Sequence, residues 1–95
     1  MMSDLELVQL FKASLDQVVE VTLDPETCEV SVAQFRMVKI GNIYEVHDII
    51  AGRIGMMTLP HMYALVCRRV FQAHIDFKYK QLEELEEKEM EKRQD

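Results

Sequence analysis

Five side chains in this sequence have the chemistry to bind a metal ion or to form a nucleophile–base pair: Cys28, Cys67, His47, His61 and His74. Their spacing argues against both. On a helix Cys67 and His74 share a face, but seven residues separate them by roughly 10 Å along the axis. Zinc ligands converge to about 2.0–2.3 Å from one ion. His61 falls on a different face from His74. The cysteines form no C-x-x-C motif, and neither lies in a nucleophile signature. Cys67 stands between Leu65-Val66 and Arg68-Arg69. The arginines are what would lower a thiol pKa, and the apolar neighbours are what would bury it. The packed thiol is the expectation. Gly41, Gly52 and Gly55 spell no phosphate-binding loop. The chain therefore reads as a non-enzyme, without cofactor or metal.

Arg53, Arg68 and Arg69 raise a second possibility, contact with phosphates. They fall in a stretch, His47 to Val70, that reads as helix–Gly–helix, with Ala51 and Gly55 four apart as in many helix-turn-helix units. The start of the second helix is a poor reader of bases, because Thr58-Leu59-Pro60-His61-Met62 contains no Arg, Lys, Asn or Gln. Seven acids in the first thirty residues also oppose approach to DNA. A helix-turn-helix regulator is thus an alternative reading. Another makes the acidic helix and hairpin, with Glu20, Asp24 and Glu29 as the acids that would matter, a nucleic-acid mimic that occupies a basic groove on a DNA-binding protein.

A third kind of chemistry is apolar docking. Met56, Met57 and Met62, with Leu59 and Tyr63, cluster around an interhelix turn, and such turns lie near the surface. Methionine adapts to varied partners. Met56, Met57 and Tyr63 are the expected docking patch.

The elements that must position these residues follow from periodicity. Ser3-Asp4-Leu5-Glu6 is a capping box. Leu7, Val8, Phe11 and Leu15, with Leu10 at the edge, continue it as an amphipathic helix to about Leu15. From Val18 the period becomes two. A turn at Asp24–Thr27 pairs Leu23 with Cys28, Val21 with Val30 and Val19 with Val32 on one face. The second strand runs on to Ile40, with a bulge where apolar parity slips between Ala33 and Met37. Gly41-Asn42 makes a two-residue turn into Ile43–Val46. The expectation is a three-stranded antiparallel meander. Asp48 then caps a short helix, Ile49 to Ile54, which Gly55 ends.

No glycine, and no proline after Pro60, interrupts the rest of the chain. It reads as one long C-terminal helix from about Pro60 to Arg93, roughly 50 Å long at 1.5 Å per residue. A compact chain of this size is only about 30 Å across. Met62, Leu65, Val66, Val70, Phe71 and Ile75 can cover the sheet, so residues 1–80 form a single α+β domain and 81–95 an acidic helical extension. Phe71, Ile75, Leu82 and Leu85 fit an alternating four–three seam if Lys78 fills the missing position, which is two heptads of a coiled coil. Glu84 with Lys88, and Glu89 with Arg93, add favourable i,i+4 pairs.

Charge and composition complete the reading. Apolar residues are 48% and charged residues 29% of the chain, an ordinary globular balance, and net charge is −6. Residues 1–30 hold seven acids against Lys12, residues 31–80 are net +4, and residues 81–95 net −4. The longest apolar run, Met62–Cys67, is far short of the ~20 residues a membrane span requires. The amino terminus carries acid where a secretory signal carries base, so a cytoplasmic location is expected. The whole suits a protein-binding adaptor or inhibitor that self-associates, with a homodimer expected, through Phe71, Ile75, Leu82 and Leu85. Its size and acidity would fit a virus-encoded modulator of host machinery.

Overall fold

A capping box opens the first helix. Ser3 donates its backbone N–H to Glu6 Oε1 at 3.5 Å and its hydroxyl accepts from the Glu6 amide at 3.2 Å, satisfying two otherwise orphaned donors. The computed structural model describes residues 2–15 and 17–93, with side chains through Glu91. The first helix, α1, spans Asp4–Leu15 and buries Leu7, Val8, Phe11 and Leu15, as its spacing predicts.

Five strands follow rather than three: β1 (Val21–Leu23), β2 (Val30–Val32), β3 (Phe35–Ile40), β4 (Ile43–Asp48) and β5 (Gly52–Met57). They form one antiparallel sheet in chain order. The first hairpin keeps its buried face but shifts register by two, with Val21 opposite Val32 and Leu23 opposite Val30. The reason is a longer loop. Asp24 Oδ1 accepts from the amides of Glu26 (2.9 Å) and Thr27 (3.5 Å), and Cys28 adopts φ 60°, which leaves Cys28 exposed and outside the ladder. The parity slip is not a bulge either. Val32 faces Phe35, so Ala33-Gln34 is a two-residue turn that starts a new strand, with Ala33 at φ 52°. Gly41 at φ 63° makes the next turn where expected, between Ile40 and Ile43.

The short helix at Ile49–Ile54 is absent. Asp48 does cap, but it caps a turn: its Oδ1 accepts from the amides of Ile50 (2.8 Å) and Ala51 (3.1 Å). Gly52 at φ 96° then reverses the chain into β5, which pairs along β4 with Ile54 as an extra residue opposite the Val46–His47 step. An Asx turn and a helix N-cap use the same side-chain geometry, so the aspartate alone did not distinguish them.

The second helix, α2, runs unbroken over Leu59–Arg93, 35 residues. Both helices lie on one face of the sheet. Met62, Val66 and Val70 of α2 meet Phe11 and Leu15 of α1 over Val21, Val30, Phe35, Met37 and Val46. Leu65 is only half-buried, and Phe71 and Ile75 are exposed. The covering stripe therefore ends at Val70, one turn sooner than the sequence suggests. The molecule measures 63 × 24 × 23 Å. Its radius of gyration is 17.4 Å, against about 13 Å for a compact chain of this length. The difference is the projecting part of α2. The Glu89–Arg93 pair, and the fraying expected at the end of the helix, fall outside the described residues and side chains.

Candidate functional site

Beyond His74 every described side chain of α2 is exposed. Three of them belong to the expected seam, Ile75 at 58%, Leu82 at 63% and Leu85 at 58% exposure, and its fourth member, Phe71, precedes His74 at 40%. At 100° per residue this seam lies roughly 135° around the axis from the stripe of Leu59, Met62, Val66 and Val70 that packs on the sheet. It is thus a separate apolar face, not a continuation of the core. Phe71 stands at the root of the rod, beside Lys12, Ser14 and Gln17. Ile75, Leu82 and Leu85 stand free of the globule.

The docking patch is divided. Met57 lies opposite Tyr44 and Met56 opposite Glu45 on the β4–β5 ladder, so the two side chains point to opposite faces of the sheet. Met57 packs against the core beneath the helices. Tyr63 is half-buried between the helices, its ring 5.2 Å from Phe11 and its hydroxyl hydrogen-bonded to Ser14. Met56 instead faces out from the uncovered side of the sheet, at 42% exposure. Val38 lies opposite Glu45 from the other strand, and Ile40 opposite Ile43, so these three apolar residues share the uncovered side with Met56. They were missed because β3 reads as apolar on both faces, which a periodicity argument assigns to burial rather than to an open surface.

The three arginines do not converge. Arg53 lies opposite His47 on the uncovered side of the sheet, and its Nε is 3.3 Å from Glu45 Oε1. Arg68 and Arg69 lie on α2, which covers the other side. With β5 in place of a first helix, the helix–Gly–helix unit is not formed. Of the acids in the mimic reading, Asp24 already holds its own loop. His47 Nε2 is 3.2 Å from Glu45 Oε1, His61 is exposed at the start of α2, and His74 is half-buried. Among the described residues no group of three His, Cys, Asp or Glu side chains could hold a metal ion. Burial pushes the Cys67 thiol up, against a smaller opposing hydrogen bond from Tyr63. The thiol is protonated at neutral pH and a weak nucleophile.

Where α2 leaves the sheet, a cleft of about 330 Å³ opens between the helix and the tips of two hairpins. Val18, Val19, Phe35, Val70 and Phe77 supply its apolar wall. Asp48 sits at its edge, 4% exposed, the one buried charged side chain among the described residues. Its Oδ2 accepts from Gln34 Nε2 at 2.8 Å, and its Oδ1 takes the two turn amides. The Gln34 amide, then the Ile50 and Ala51 N–H groups, with Arg69 at longer range, hold its carboxyl below the usual value of 3.8 against the opposing effect of burial. Asp48 is therefore a clamp joining two hairpin turns, with both carboxylate oxygens engaged in structural hydrogen bonds. A depressed folded-state pKa stabilises the fold fully above the unfolded value and loses that contribution as pH falls through the folded one. Unfolding midpoints in urea should therefore drop on acidification below about pH 4. Asp48→Asn, which keeps one acceptor oxygen for the turn amides but cannot titrate, should show a shallower drop over that range. An unchanged acid slope would remove Asp48 from this role.

No protein-family model, no curated protein and no solved structure matches this chain. No helix among the described residues is long and apolar enough to cross a membrane.

Proposed function

We propose that this chain is a non-enzymatic, protein-binding regulator, an adaptor or inhibitor, that works as a homodimer through the projecting half of α2. One observation carries the reading. A 35-residue helix leaves its globule with Ile75, Leu82 and Leu85 each more than half exposed along one face. Isolated exposed apolar residues are normal on protein surfaces, whereas a periodic seam on an unsupported helix is the pattern of a partnered one. A lone helix of this kind gains little from propensity alone, so burial of the seam is what would stabilise it. The uncovered sheet face around Met56, Ile40 and Ile43 is the surface left for a second, different protein. Its apolar side chains flank Glu45, which stands between Val38 and Met56 and contacts His47 and Arg53 in the next row, so the surface offers apolar contacts beside one charged cluster.

Light scattering tests the self-association. The intact chain, 11.1 kDa, should give close to twice that mass. A chain ending at Lys80 retains all of the buried core and should be a folded monomer. A monomeric intact chain would overturn the reading.

A further inference from the structure

The projecting helix carries its charges unevenly. Arg68, Arg69, Lys78 and Lys80 occupy its proximal half with Asp76 as the single acid. From Glu83 to Glu91 there are six glutamates against Lys88. Two of these charges lie in the seam itself. Ile75, Lys78, Leu82, Leu85 and Glu89 follow the spacing three, four, three, four, which keeps them on one face of the helix. Lys78 and Glu89 are exposed, and neither belongs to an ion pair among the described residues.

These two residues decide how a second copy can lie on the seam. Two parallel helices in register would set Lys78 against Lys78 and Glu89 against Glu89, like charges at the centre of an apolar interface. They would also bring the two acidic halves together. Reversing one helix removes both conflicts. When Leu82 faces Leu85 of the second copy, Lys78 faces Glu89 of that copy, because each charge stands four residues outward from its leucine. The two-fold axis repeats both contacts. Four leucines then form the middle of the interface, and an ion pair closes it at either side. The globules sit at opposite ends, clear of one another, and Ile75 comes under the end of the other rod.

We propose that the chain forms an antiparallel homodimer through this segment, with Leu82 packed on Leu85 and Lys78 paired with Glu89 of the second copy. The proposal rests on the self-association reading above and specifies its orientation and register.

Disulfide trapping separates the possibilities. In full-length chains carrying Cys28→Ser and Cys67→Ala, Lys78→Cys is placed in one preparation and Glu89→Cys in another, and the two are mixed under mild oxidation. In the antiparallel dimer the new thiols face each other, and the remaining Lys78–Glu89 pair stays intact. Like thiols are eleven residues apart along the axis, roughly 16 Å, beyond the 4.4–6.8 Å Cα separation a disulfide spans. The mixed disulfide should exceed the like-with-like products by about tenfold or more. Like-with-like products alone would mean parallel helices, overturning the proposal while leaving self-association standing. A dimer by light scattering that forms neither product would overturn the register. A monomer would remove both this proposal and the reading beneath it.

Discussion

Replacing Leu82 and Leu85 together by aspartate will convert the protein into a folded monomer. The two leucines are 63% and 58% exposed within one chain, so their removal takes nothing from the core. Surface substitutions of that kind change stability by about 0.5 kcal/mol or less. In the proposed dimer they are the centre of the contact, four side chains in all. Each buried leucine contributes about 1.5–3 kcal/mol, and aspartate would add an unpaired buried charge to the loss. The dissociation constant should therefore rise at least about a thousandfold, since each 1.4 kcal/mol is tenfold. Sedimentation across a concentration series reads that change, while far-UV circular dichroism checks that the globule survives. Glu84→Gln with Glu87→Gln, on the other side of the helix, should leave the mass unaltered. A double-aspartate variant that still sediments as a dimer would move the interface off the rod, most directly to the uncovered sheet face.

The parts of the fold that could be read from the sequence are those specified locally. The capping box needs only Ser3 and Glu6, and α1 and α2 need only a helical apolar period without glycine or an interior proline. The strand faces were readable too, because a hairpin register that slips by two still turns Val21, Leu23, Val30 and Val32 toward the core, and only Cys28 is lost from it. What could not be read depends on backbone conformations that residue type does not announce. Cys28 and Ala33 both adopt positive φ, where glycine or asparagine is the usual signal. Cys28 therefore hid the length of the first turn, and Ala33 hid a second turn together with a strand boundary. Ile49-Ile50 after Asp48 suggested a helix, yet they are 63% and 79% exposed at the tip of a hairpin. Losing that helix reassigns Arg53 and Met56 to an edge strand, which is why neither the arginine cluster nor the methionine patch survives as one surface. Phe71, Ile75, Leu82 and Leu85 do share one exposed face, because they lie within a single helix, where spacing alone fixes which residues do so.

The same division separates what folds the protein from what it offers to others. The buried stripe of α2 ends at Val70, and the exposed seam starts one residue later on another face. Mutations in the two regions should therefore have independent effects, in line with the additivity expected for distant sites. Fold stability is best measured in the monomeric double-aspartate background, where it does not depend on protein concentration.

In that background Phe11→Ala should give the largest loss of stability. Phe11 is fully buried and lies at the junction of α1 with α2, its ring 5.2 Å from that of Tyr63. Truncating a core phenylalanine costs about 3–5 kcal/mol through lost burial and the cavity left behind. A domain of this length has a total stability of about 5–14 kcal/mol. The substitution would thus consume about a fifth or more of it. With a urea slope of about 1–3 kcal/mol per molar, the unfolding midpoint should fall by about 2 M. Phe11→Leu keeps most of the volume and should cost less than about 1.5 kcal/mol. Both variants leave the seam untouched, so in the native-seam chain Phe11→Leu should dimerise as the parent does. A loss below about 1 kcal/mol for Phe11→Ala would mean that α1 can leave the sheet without opening the core, contrary to its packing against Met62 and Val66.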